Sequence, residues 1–269
     1  VPADAYAESL VVRSYEAGRQ GAVSPGTLLR YLEHLATRAS AWRGFDHTWY
    51  ESHNSAWVVR EMALELAVLP RMDDELRMAT WLSGFRRVQA MREYAVWYPG
   101  SGRLAARAQG RWAYIDRRRG TIQRVHEELL QRFDVGEEAM SPRTIPLPAE
   151  DAVSHDLLLT AREYEADSQQ HVNNSVYLDW LQEALLLATT HTDLAAKRTM
   201  YPRRYHLEYL HQVFPGDAVR ISTRLEFFGS RGLRAWQRIA STPSGEIACT
   251  ARSEHLLLPR PATLHGSQL

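Results

Sequence analysis

Apolar and polar positions alternate along most of this chain. Twice the alternation gives way to apolar residues three and four apart, in TLLRYLEHLATRASAWRG (27–44) and SVYLDWLQEALLLAT (175–189). That spacing gives a helix one apolar stripe, and it predicts two long helices with a buried face. Behind each come segments rich in β-branched and aromatic residues, separated by Pro, Gly, Asp and Ser. After the first helix these are WVVREMALELAVLP, ELRMATWLSGF, AMREYAVWYPG and RLAARAQGRWAYID. After the second they are RRYHLEYLHQVFPGD, AVRISTRLEFFGS, GLRAWQRIAST and EIACTARSEHLLL. Their alternation predicts strands. One helix followed by consecutive long strands favours an α+β unit, a helix wrapped by an antiparallel sheet, over alternating βαβ units.

The halves repeat each other. Without a gap, Arg13 falls on Arg162, Tyr15 on Tyr164, Glu16-Ala17 on Glu165-Ala166, Val23 on Val172, Leu29 on Leu178 and Tyr31 on Trp180. Further on, Leu69-Pro70 is expected opposite Phe214-Pro215 and Gly84 opposite Gly229. The turn 99–102 is expected opposite Pro243-Ser244-Gly245. The organisation read from this is an N-terminal unit (1–133), a linker rich in proline and acid (134–153) and a C-terminal unit (154–269). Two such units could join their sheets edge to edge, as a pseudo-dimer within one chain.

With 269 residues, 45% of them hydrophobic, the chain can bury one large core or two small ones. The formal net charge of zero gives no reason to expect nucleic acid or an anionic membrane as a partner. Cys249 is the sole cysteine, which excludes an intrachain disulfide, and no Cys/His zinc spacing occurs. VPADAYAESLVVRSYE lacks the basic start and apolar run of a signal peptide, and the apolar runs are too short to span a bilayer. The expectation is a soluble, cytoplasmic protein. No GxSxG elbow, GxGxxG or P-loop is present, so neither a serine hydrolase nor a nucleotide cofactor is expected, and no cofactor or metal is implied.

The candidate chemistry sits in DSQQHVNN, just ahead of the second helix, and the repeat acts as an internal control. Opposite Asp167 and His171 the first half carries Gly18 and Ala22, while Gln169 has Gln20 as its counterpart, and Asn173-Asn174 face Ser24-Pro25. The acid and the imidazole are therefore peculiar to one copy and read as a site. Asn173 and Asn174 are equally suited to capping the helix. The unpaired amides of a helix start can polarise a carbonyl oxygen and hold an oxyanion.

DSQQHVNNSVYLDWLQE resembles the active-site segment of acyl-ACP thioesterases, which are tandem hot-dog proteins. The first half, VVRSYEAGRQGAVSPGTLLRYLEHLATRASAWRG and WVVREMALELAVLPRMDDELRMATWLSG, resembles that family's opening strand, helix and next strands. The resemblance implies a double hot-dog and hydrolysis of acyl-ACP to free fatty acid and holo-ACP. It implies Asp167 and His171 as catalytic residues, with Gln169 at the family's Asn position. LEYLHQV places Gln212 where the family has a Glu. Asp167 is then the preferred base or nucleophile, with Glu183 and Glu208 as alternative carboxylates; Glu208 is expected on the same strand face as Gln212. Asn173 and Asn174 would position the substrate, and Trp42, Trp57, Val59 and Met62 would line an acyl pocket in the first half. The acidic carrier protein would dock on arginines 86–87, 117–119 or 203–204; coenzyme A is the alternative carrier, and a homodimer is compatible with this reading. An acyl-CoA or polyketide thioesterase, a non-catalytic acyl-binding protein and a hot-dog dehydratase are the competing readings.

Overall fold

A computed structural model describes residues 1–18, 21–147, 149, 152, 154–190 and 198–259. Gln20 and the ends of both the linker and the chain, including 148, 150–151, 153 and 260–269, lie outside the described residues. The first half runs β1 (Tyr6–Val11), α1 (Pro25–Trp42), α2 (His47–Ser52), β2 (Ser55–Leu66), β3 (Glu75–Arg86), β4 (Gln89–Trp97), β5 (Leu104–Asp116) and α3 (Glu127–Arg132). The second runs β6 (Ser154–Thr160), α4 (Asn174–Thr190), β7 (Arg198–Tyr209), β8 (Ala218–Phe228), β9 (Gly232–Ser241) and β10 (Ile247–Pro259).

All ten strands form one sheet in the order β1-β3-β4-β5-β2-β7-β10-β9-β8-β6, so each half mirrors the other about the central pair. There β2 and β7 run antiparallel, with Met62 opposite Leu207 and Leu64 opposite Tyr205. The tandem hot-dog expectation is therefore realised as a single continuous sheet. Leu28, Leu29, Leu32 and Leu35 of α1 enter one core with Val176, Leu178, Trp180 and Leu181 of α4 and with inward residues of both sets of strands. The two helices pack against each other. Gly26 permits this approach: a Cβ there would collide with the carboxylate of Asp179, which is ion-paired with Arg30.

The repeat has a physical cause. In each half a carboxylate props a buried aromatic of the helix. Tyr31 donates its hydroxyl to Glu16 at 2.8 Å, and Trp180 donates its indole N–H to Glu165 at 3.0 Å. Both acids also accept the amide of the arginine three residues before them, closing a 3₁₀ turn.

The structure corrects three expectations. The strand holding Glu208 stops at Tyr209, because the amides of Leu210 and His211 both turn to the carbonyl of Ala248. The register of the second repeat differs by two residues: Arg71 and Phe214 are equivalent, since each donates its amide to the aspartate three residues on. Matching prolines marked the turns without marking their register. Gly229, at φ +55, turns the chain between β8 and β9, whereas Gly84 sits inside β3 beside a bulge. Two short helices, α2 and α3, were not expected. The described part of the linker is a strap: Trp81 Nε1 donates to the carbonyl of Glu137, Gln109 to that of Met140, and Arg252 to that of Ile145.

Among the described residues no helix is long and apolar enough to cross a membrane. Replacing Glu165 with alanine leaves the Trp180 indole N–H buried without its acceptor. Such a loss costs about 1–3 kcal/mol, and urea unfolding should register it as a lower midpoint at unchanged slope.

Candidate active site

The polar segment folds as a tight loop closed on itself. Asp167 N–H donates to the carbonyl of His171 at 2.9 Å, and Gln170 N–H donates to the carbonyl of Asp167 at 2.9 Å. The first half makes the same turn with other residues: Gly18 N–H bonds the Ala22 carbonyl, and Gly21 N–H bonds the Gly18 carbonyl. Gly21 sits at φ +68 and its counterpart Gln170 at φ +65. A left-handed backbone suits glycine and strains glutamine. The copy bearing the candidate chemistry therefore keeps the turn at a cost the other copy avoids.

Within that loop Asp167 Oδ1 accepts the amide of Gln169 at 2.8 Å, while Oδ2 stands 3.9 Å from His171 Nδ1. His171 is only 7% exposed. Its Nδ1 lies 3.2 Å from the carbonyl of Val172, an acceptor, so in the neutral ring Nδ1 carries the proton. Nε2 is buried and meets no protein partner. The unprotonated nitrogen is thus left without a hydrogen bond among the described residues.

Asn173 caps α4: its side-chain oxygen accepts the amide of Ser175 at 2.9 Å. Its side-chain N–H₂ donates at 3.1 Å to Glu33 Oε2, which projects from α1 of the other half. The amide of Asn174 has no backbone acceptor among the described residues, which leaves an open donor at the helix start. Burial raises the Glu33 carboxyl to about 7; Asn173 opposes the rise, the negative charge of Asp167 adds to it, and Arg30 opposes it.

These groups border a cavity of about 740 Å³. Its polar end is formed by Glu33, Asp167, Gln169, His171, Asn173 and Asn174, together with Gln212. The rest is lined mainly by the first half, with Phe45, Tyr50, Trp57, Val59, Phe85 and Trp112. Trp57 donates to the Tyr50 hydroxyl at 3.1 Å, which fixes both rings. Arg92, 7% exposed, also reaches the lining, 3.4 Å from the Thr80 hydroxyl. A second hollow of about 510 Å³ adjoins across Glu33, Asp167 and Asn173.

The structure thus brings Asp167, Gln169, His171, Asn173, Asn174 and Gln212 to one place, with Trp57 and Val59 along the same cavity. Two expected pocket residues lie elsewhere. Trp42 is 56% exposed at the end of α1, packed on Tyr6. Met62 lies in the core near Gly110, outside the lining. The alternative carboxylates are also elsewhere. Glu183 is on the exposed side of α4. Strand alternation turns Glu208 to the face opposite Tyr209, and Tyr209 is the one that lines the cavity. Glu33 escaped the sequence reading. A signal was present: an acid inside the apolar stripe of α1, four residues after Leu29 and three before Ala36.

Residues 3–133 match the model of the acyl-ACP thioesterase N-terminal domain, and residues 162–259 match that of the thioesterase-like superfamily. Oleoyl-acyl carrier protein thioesterase 2 of Arabidopsis thaliana is 25% identical over 198 residues, covering 67% of this chain and 54% of the relative. An acyl-[acyl-carrier-protein] hydrolase of Cuphea viscosissima is 24% identical over 213 residues, covering 74% of this chain and 52% of the relative. The chain spans about half the length of these curated relatives. Among solved structures, the 12:0-ACP thioesterase of Umbellularia californica superposes with a TM-score of 0.78 at 18% identity, over 94% of each chain. An acyl-ACP thioesterase of Bacteroides thetaiotaomicron gives 0.74 at 20% identity, over 93% of this chain and 97% of its own. These likenesses show the shared fold.

The strained turn makes its own prediction. Gln170→Gly relieves a left-handed glutamine at the expense of unfolded-state entropy, for a net gain of about 0.5–1 kcal/mol. Denaturant unfolding should show the variant more stable than the parent.

Proposed function

This chain belongs to the acyl-ACP thioesterase family, and on that premise we propose that it hydrolyses acyl-ACP to free fatty acid and holo-ACP in fatty acid biosynthesis. The observation that carries the reading is the Asp167–His171 pair, at 3.9 Å, opening on a cavity at the start of α4. Hydrolysis needs a base for water, donors for the developing oxyanion and a site that excludes bulk solvent from the acyl chain. In this proposal Asp167 takes the proton of the attacking water, and His171 beside it orients that water. The Asn174 amide and the Gln169 side chain receive the carbonyl oxygen. Asn173 keeps the loop against α1, and Gln212 supplies a further hydrogen bond to the water.

The division of labour follows the repeat. The N-terminal unit (1–133) would hold the acyl chain between its aromatic side chains, the C-terminal unit (154–269) would carry the chemistry, and 134–153 would tether them. A cytoplasmic setting is part of the same proposal. The carrier protein, acidic in character, would approach along the cavity mouth. Of the three arginine clusters, 117–119 borders the cavity through Arg117. Arg204 is engaged by Glu65 and Glu254, and Arg203 donates to the carbonyl of Ala67.

Asp167→Asn should lower turnover of acyl-ACP by roughly 10²–10⁴-fold, the usual worth of a positioned base, with an unchanged circular dichroism spectrum. Full activity in that variant removes Asp167 from the mechanism. Assaying one acyl group on acyl carrier protein and on coenzyme A names the carrier. Added salt should depress the carrier-protein reaction more steeply, because exposed arginine contacts are screened.

A further inference from the structure

The site holds a second carboxyl group that the proposed hydrolysis leaves unused. Glu33 comes from α1, in the half that lacks the acid and the imidazole. Its Oε2 accepts the Asn173 side chain at 3.1 Å, and it lines both hollows beside Asp167. A thiolate leaving group needs a proton, and His171 is poorly arranged to give one. Its Nδ1 is engaged with the Val172 carbonyl at 3.2 Å, and its Nε2 is buried with no hydrogen-bond partner among the described residues, so neither nitrogen is presented to a leaving group. We propose that Glu33 is the general acid of the site, protonating the sulfur as the carbon–sulfur bond breaks. This inference rests on the thioesterase reading and names the proton donor within it.

The step balances. Water oxygen bonds the carbonyl carbon as one of its protons passes to Asp167. The tetrahedral intermediate then expels sulfur, and the carbon–sulfur electron pair takes the proton of Glu33. The products are a carboxylic acid and a thiol, and the proton on Asp167 returns to Glu33 through water. Two carboxyl groups in unlike surroundings are suited to opposite roles. Asp167 accepts a backbone amide within its own loop, while Glu33 is desolvated by burial and accepts a single amide donor, from Asn173. The groups facing Glu33 are Arg30 and His34 on its own helix, Asp167 and His171 on the loop, Tyr94 on β4 and Tyr209 on β7. Arg30 supplies the positive charge among these, and it is already paired with Asp179.

The test compares leaving groups in the full chain, wild type against Glu33→Gln. The glutamine keeps an oxygen for Asn173 and loses the proton. With an alkyl thioester, such as dodecanoyl-coenzyme A or dodecanoyl-ACP, the variant should lose roughly 10²-fold or more in kcat. With a dodecanoyl thioester of an acidic thiophenol, which departs without a proton, it should lose little. The alkaline limb of the wild-type alkyl-thioester profile, centred near pH 7, should vanish. Equal losses on both thioesters, or an unchanged pH profile, overturn the proposal.

Stability gives an independent readout. A carboxyl raised above its unfolded value binds more protons folded than unfolded, so its contribution falls as pH rises from about 4.5 to about 7. Glu33→Gln should therefore melt higher than wild type at pH 8, and the difference should shrink towards pH 4.5. A variant that melts lower at pH 8 overturns the picture of a carboxyl kept for its proton. If wild type hydrolyses none of the thioesters, the thioesterase reading itself fails. If wild type is active and Asp167→Asn is not, while Glu33→Gln behaves as wild type, the inference about Glu33 alone fails.

Discussion

Everything at the candidate site depends on two helices lying side by side within one continuous sheet. The β2–β7 pair joins the halves, and α1 and α4 are left with each other as neighbours. Gly26 lets the backbones approach where Asp179 crosses, and further along the same contact Asn173 reaches Glu33. A site residue from one repeat is thereby hydrogen-bonded to a carboxyl of the other. Neither half could present this arrangement alone, because the second acceptor for Asn173 is a carboxyl of α1.

The duplication shows how chemistry can be added to a structural turn. Both copies close the same loop with the same two backbone hydrogen bonds. In the first copy Gly18 and Ala22 stand where the acid and the imidazole would be, and Gly21 takes the left-handed position. In the second, an acid, an imidazole and a strained glutamine replace them. The props beneath, Glu16 under Tyr31 and Glu165 under Trp180, are unchanged in kind.

The cavity is shaped by the same division. One end carries hydrogen-bonding groups whose protein partners are incomplete, as with His171 Nε2. The other is walled by aromatic rings that fix one another, Trp57 on Tyr50 and Tyr114, and Phe45 on Trp49. Arg92 puts a buried guanidinium into this wall, so the lining is not wholly apolar. Buried polar groups without full partners are costly to a fold, and they concentrate where a ligand completes them.

Local periodicity determined a good deal by itself. Two helices, the long strands and the duplicated order followed from spacing alone, because burial of one face imposes its period on the side chains. Asp167 and His171 stood out because the repeat supplied a copy without them. The tertiary structure decided what spacing does not encode. Strand register came from hydrogen bonds, which overruled the matching prolines of 69–70 and 214–215. Glu208 was turned away because alternation along its strand gives the cavity to Tyr209, and Trp42 was left at the surface because α1 ends beyond the core. Glu33 was visible as an acid in an apolar stripe, yet nothing in the order of residues said what lay opposite. A partner 140 positions away along the chain is chosen by packing, since side-chain contact depends on distance in space and not on separation in sequence.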